Sequence, residues 1–237
     1  MYLFTLSMTV KTGGGHKISY FLCYLYKTNL TRARAADRAG GKNKNPLPFT
    51  MSRLASFILR VFGWKVVSGI PDGINKAVVV MAPHTSNWDF VIGRLAFMTH
   101  KVRIHLMIKK ESFFFPLGMV LRALGGIPVD RSHSQNTVKG ITQHFHDADT
   151  FYLVITPEGT RKLARRWKKG FYFIAQNAGV PIVLGYLDYK RKIGGLGPVI
   201  TPSGDYENDL KQIEDFYRGM HARHPEKFNL TETDYSG

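Results

Sequence analysis

"AVVVMAPHTSNWDF", residues 77–90, decides how this chain is read. Its first half is an unbroken run of small and β-branched apolar residues, the pattern of a strand covered on both faces. Its second half turns polar and carries His84 and Asp89, in a His-x4-Asp spacing. Open α/β sheets bind ligands outside the carboxyl ends of their strands. The two ionisable groups therefore stand where a strand would deliver them to a ligand.

Further apolar runs follow: "VRIHLMI" (102–108), "GGIPVD" (125–130), "FYLVIT" (151–156) and "VPIVLGYLD" (180–188). Helical patterns separate them, at about 89–100, 112–124, 134–147 and 168–178. Strict alternation of this kind predicts an α/β fold, a largely parallel sheet flanked by helices. The tail, 205–237, is polar and partly helical, and no internal repeat is visible.

Upstream of the first strand the chain changes character. Residues 1–50 hold eight Lys and Arg against one Asp. They are expected to be a basic, poorly ordered tail, or an upstream segment ahead of a natural start at Met51. Residues 51–76 form a lead-in to the main domain, 77–237. In it Leu54, Phe57, Ile58, Val61 and Phe62 recur at i, i+3, i+4, i+7 and i+8, an amphipathic helix bordered by Arg53, Arg60 and Lys65. Its apolar stripe either lies on a bilayer surface or packs on its own domain.

The totals narrow the function. With 237 residues and 44% hydrophobic content the chain can bury a core of ordinary size. One cysteine, Cys23, excludes an intramolecular disulfide and a cysteine zinc cluster. The formal charge of +16 suits a polyanionic partner: a phosphorylated substrate, an anionic membrane surface or nucleic acid. Nucleic-acid binders interleave aromatics with surface cations for stacking. Here "SFFFP" and "FYFIA" sit in apolar runs instead, which argues against nucleic acid.

If the strands are parallel, their ends bring a set of groups to one edge: His84 and Asp89, then Lys109, then Arg131, then "PEGTR", Pro157 to Arg161. An imidazole can accept a proton near neutral pH, and a carboxylate on its other nitrogen fixes its tautomer. Gly159 permits a tight turn, and Thr160 and Arg161 offer a hydroxyl and a planar guanidinium that suits phosphate. Lys109 and Arg131 add charge. Glu158 either holds an arginine or binds a substrate hydroxyl. Ser86 is not set in a G-x-S-x-G elbow, so the nucleophile is expected to come from the substrate. His144 and His146 are two apart in a helical pattern and do not share a face, so no metal site is expected.

The order His84-x4-Asp89, "GGIPVDR", "PEGTR" and "GVPIV" resembles the glycerolipid acyltransferase family, whose best-known members are the 1-acylglycerol-3-phosphate acyltransferases. The resemblance implies an O-acyltransferase in which His84 is the base and Asp89 orients it. Arg131 and Glu158, Gly159, Thr160 and Arg161 would grip the acceptor's phosphate, and Lys109, as a point charge at its strand end, is expected to join them in binding substrate. It implies acyl-CoA or acyl-carrier protein as donor, a lysophospholipid as acceptor, no cofactor, and a peripheral position on the cytoplasmic face of a membrane. The chain departs from the pattern at Pro83, at Thr156 before "PEGTR", and in "VPIVLG", which lacks a second proline. Two other readings compete: a non-catalytic basic module that holds anionic membrane or nucleic acid, and a lipid hydrolase.

Overall fold

The Val78–Val80 run becomes the middle of the sheet, with no exposed surface on any of its three side chains. In a computed structural model, which describes residues 49–130 and 134–230, the strands are β1 (Lys65–Val66), β2 (Lys76–Met81), β3 (His105–Lys109), β4 (Gly126–Val129), β5 (Phe151–Ile155), β6 (Ile182–Asp188) and β7 (Ile193–Ile200). The helices are α1 (Phe49–Val61), α2 (Asn87–Thr99), α3 (Leu117–Ala123), α4 (Ser134–Asp147), α5 (Gly170–Ala178) and α6 (Tyr206–Tyr217). Arg131 and all but the last two residues of the basic segment 1–50 lie outside the described residues.

The sheet order is β1-β7-β6-β2-β5-β3-β4. Five strands, β6 through β4, run parallel; β7 returns antiparallel to β6, and β1 follows β7. The α/β architecture with a largely parallel sheet is therefore as expected, and the turn-back at β7 is new. Its sequence, "IGGLGPVI", hides a strand behind three glycines and a proline.

Two apolar layers flank the sheet. On one face Val78, Val80 and Leu153 meet α4, α5 and α6 through Phe145, Phe171, Ile174, Ile213 and Tyr217. On the other, Val79, Val154 and Ile104 meet Phe97 of α2. Alternation along each strand sends neighbouring residues to opposite layers. The Tyr217 hydroxyl sits 2.8 Å from the carbonyl of Val80 and 2.9 Å from that of Gly185, tying α6 to β2 and β6.

Two elements differ from expectation for local reasons. The helix anticipated over 112–124 is a 3-10 turn, Lys110–Ser112, followed by α3 from Leu117. Pro116 lacks a donor and disfavours helical backbone at Phe115. The strand anticipated from 102 begins at His105, because the N–H of Val102 closes the end of α2 on the carbonyl of Phe97, 3.0 Å away.

Helix α1 buries a face rotated from its apolar stripe, of which Leu54 and Ile58 are half-buried. Ala55 and Leu59 are buried and the Ser52 hydroxyl donates to the carbonyl of Thr99, 2.9 Å away, so this face packs on α2. Phe57, Val61 and Phe62 point outward. No described helix is long and apolar enough to cross a membrane.

Candidate active site

The corner after β2 is built by the start of α2. Ser86 is its N-cap: the hydroxyl accepts the N–H of Trp88 at 3.1 Å. Asp89, three residues on, turns its carboxylate back, and Oδ2 accepts the N–H groups of Thr85 at 2.7 Å and Ser86 at 2.8 Å. This is a capping box, which satisfies amide groups that every helix start leaves open. It also places Asp89 Oδ2 3.3 Å from Nδ1 of His84. Helix initiation and the pairing of His84 with Asp89 are thus one arrangement. The pattern S-x-x-D was readable in the sequence as this cap, and it accounts for Ser86 without a nucleophilic role.

The carboxylate has a fourth partner that no local pattern announces. The Tyr189 hydroxyl, from the turn after β6, donates to Asp89 Oδ1 at 2.5 Å. Tyr189 is itself held edge-on by Trp64, 5.0 Å between ring centres. Burial would raise the pKa of Asp89, but hydrogen bonds from His84, Tyr189 and the Ser86 amide outweigh it and leave the group below its ordinary value. Asp89 therefore stays ionised, and its side chain is 5% exposed against 19% for His84. The imidazole is the part of the pair that reaches the surface.

Glu158 stands behind this pair. Its Oε1 accepts the backbone N–H of His84 at 2.9 Å, and the residue is only 3% exposed. Oε2 has no partner among the described residues. Burial pushes its pKa up to about 7, moderated by the hydrogen bond from His84. It holds neither an arginine nor the cavity wall described below; it holds the backbone that carries the histidine.

The rest of "PEGTR" forms the neighbouring loop after β5. Gly159, at φ 65, sits in the left-handed region, and its N–H bonds the carbonyl of Thr156 at 3.1 Å. The loop folds under Lys168, whose N–H donates to the carbonyl of Pro157 at 2.8 Å. Arg161, exposed, donates through Nη1 to the side-chain carbonyl of Asn87, the first residue of α2, and so bridges the two loops. Lys109, at the end of β3, is exposed and pairs with Glu111 at 3.7 Å.

A cavity of about 930 Å³ opens over these strand ends. His84, Asp89, Lys109, Gly159, Thr160 and Arg161 line it, together with Lys168. The cavity dips to both sheet faces. Phe171 and Ile174 of α5 line one side; Val91 and Phe97 of α2, with Ile104, Leu106 and Val154, line the other. The arrangement can deprotonate a hydroxyl at His84, grip an anion at the rim and bury a long apolar chain.

Residues 65–184 match the Acyltransferase family model. Among solved structures the chain is similar to the 1-acyl-sn-glycerophosphate (LPA) acyltransferase PlsC of Thermotoga maritima, with a TM-score of 0.50 and 16% identity over 70% of this chain and 75% of that one. At that identity the likeness shows the fold. No curated protein matches the chain in sequence.

Proposed function

This chain belongs to the acyltransferase family, and from that premise we propose that it moves a fatty acyl group from an acyl-CoA or acyl-carrier-protein thioester to the hydroxyl of a lysophospholipid such as 1-acylglycerol-3-phosphate. The observation that carries this reading is the His84–Asp89 pair, 3.3 Å apart, at the wall of a cavity large enough for a lipid chain.

The Nδ1–H of His84 donates to Asp89, which leaves Nε2 with a lone pair for the acceptor. The acceptor hydroxyl gives its proton to Nε2 as its oxygen bonds to the thioester carbonyl carbon. The tetrahedral intermediate collapses, the carbon–sulfur bond breaks, and the leaving thiolate takes the proton back from the imidazolium. Asp89, ionised, stabilises that imidazolium. Glu158 keeps the backbone of His84 in place. A thioester is already activated, so holding both substrates in attack geometry supplies much of the rate. Arg161, Lys109 and Lys168 at the rim suit the acceptor's phosphate.

The same reading puts the protein on the cytoplasmic face of a membrane as a peripheral enzyme. Phe57, Val61 and Phe62 around the end of α1, with Arg60 among them, and Phe114, Phe115 and Met119 around the start of α3 are exposed. Such surfaces enter the headgroup region of anionic bilayers.

The test pairs acyl-CoA and acyl-carrier-protein donors with a panel of lysolipids and identifies products by mass. Wild type should give a diacyl product and His84→Ala about 10²–10⁴-fold less, with unchanged circular dichroism. Near-normal turnover by that variant would end the mechanism, and free fatty acid without acylated acceptor would make the protein a hydrolase.

A further inference from the structure

One charged side chain in the cavity has no part in this scheme. Arg94 lies on α2, five residues beyond Asp89, which places it about 7.5 Å further along the helix axis. With Asn87, Phe90, Val91 and Phe97 it forms the face of α2 that lines the cavity. Arg94 is 9% exposed, and neither its Nε nor its Nη1 has a hydrogen-bond partner among the described residues.

Its surroundings make that costly. The cavity lining outside α2 is largely apolar, with Ile104, Leu106, Ile108, Leu121 and Val154 in it, and nearby His105, held below its ordinary pKa chiefly by burial and also by Arg94, supplies no negative charge. A guanidinium stays charged in any protein, and a buried charge without a partner is strongly unfavourable. Neither carboxylate of the site pairs with Arg94: Asp89 holds His84, Tyr189 and two amides, and Glu158 holds the backbone N–H of His84 through Oε1 alone. The other cavity cations, Lys109, Arg161 and Lys168, belong to strand-end loops. Arg94 is the charged group that a chain buried against α2 would meet.

We infer that Arg94 selects an acyl donor whose chain carries an oxygen function, a hydroxyl or a carboxylate, several carbons from the thioester. The inference rests on the acyltransferase reading above and deepens it. A plain hydrocarbon chain would fill the apolar wall and leave the guanidinium unmatched. An oxygen on the chain accepts its N–H groups in a dry environment, where a hydrogen bond to a charged group is strongest. The rim cations take the acceptor's phosphate, and Arg94 reads the donor.

The experiment is a competition among equimolar acyl thioesters of equal length, one unsubstituted, one hydroxylated in the first half of the chain and one ending in a carboxylate, scored by product mass. Wild type should favour an oxygenated donor by about 10–100-fold, the range one hydrogen bond to a charged group supplies. Arg94→Met should lose that preference and use the unsubstituted donor at least as well as wild type does. Arg94→Lys should keep part of the preference. The thermal midpoint of Arg94→Met should rise, since an unmatched buried charge has been replaced by an apolar chain; a purely structural arginine would lower it.

A wild type indifferent to oxygenation overturns the inference, as does an Arg94→Met variant that keeps the preference or loses activity according to the acceptor's phosphate. A binding arm needs no turnover: free hydroxylated and unsubstituted fatty acids compete to displace a fluorescent fatty acid from wild type and from Arg94→Met and Arg94→Lys. If no donor is transferred at all, the proposed function falls, while displacement still decides the role of Arg94. Should Arg94→Met not fold, the lysine variant carries both arms.

Discussion

The corner after β2 and the loop after β5 end neighbouring strands and face one cavity, yet they are built in opposite ways. The first is buried and over-determined: one carboxylate receives two amides, a phenol and an imidazole. The tip of the second, Thr160 and Arg161 beyond the buried Glu158, is exposed, and Arg161 reaches the first through Asn87. A proton-transfer pair must hold its geometry through the reaction, so its freedom is removed in advance. Cations that take a mobile, hydrated phosphate work from long side chains that settle once the ligand arrives. Rigidity is concentrated where chemistry is proposed, and adaptability where binding is.

That contrast can be broken most sharply at Asp89. Asp89→Asn removes the charge that stabilises the imidazolium, and kcat should fall by about 10²–10⁴-fold with little change in KM. Tyr189→Phe, which deletes one of the carboxylate's bonds and keeps the ring against Trp64, should cost about 3–10-fold. Steady-state kinetics at saturating donor measures both. A harmless Asp89→Asn would mean that the buried corner serves the fold alone.

The exposed loop should respond differently. Arg161→Ala is expected to raise KM about 10-fold for acceptors that carry a phosphate, with kcat nearly unchanged. Acceptors without phosphate should show little change. An equal loss for both kinds would place Arg161 in the rigid class rather than the adaptable one.

Glu158 gives the smallest effect on rate and a distinctive one on stability. Its pKa rises from an ordinary 4.5 to about 7 on folding, so the folded state favours the protonated form. The stability this contributes is complete below pH 4.5 and is lost as pH climbs through about 7. Glu158→Gln should remove that dependence, a difference of about 3 kcal/mol across the window at 1.4 kcal/mol per pH unit. Urea denaturation at several pH values reads it. A variant whose stability still declines in parallel with wild type over that range would show that Glu158 is not the group responsible.

Much of this site was legible from short stretches. The strands at 77–82, 151–156 and 180–188 appear within a residue or two of their expected bounds, because both faces of a central strand must be apolar. His84, Asp89, Lys109, Gly159, Thr160 and Arg161 all line one cavity, as parallel strands require of residues at their carboxyl ends. Arg131 lies outside the described residues. What escaped was direction and depth. The apolar stripe of α1 gave its period correctly but not which side would meet α2, since Ala55 and Leu59 pack closely where Phe57 and Phe62 would not. Nothing local in the sequence marks Arg94, a single charge within a helical pattern. Only the apolar neighbours that α2 acquires from β3 and β5 turn it into a buried one.

The sequence by itself determined the alternation of strands and helices and the meeting of His84 with Asp89. Periodicity and a capping box act within about ten residues, and no distant partner can change their sense. The tertiary structure decided the rest. It set Tyr189 on Asp89 across 100 positions and Glu158 beneath His84 across 74. It also left Arg94 buried in the wall of a cavity whose lining outside α2 is largely apolar. Those outcomes depend on which remote segments fill the same space, and packing, unlike periodicity, is a property of the whole chain.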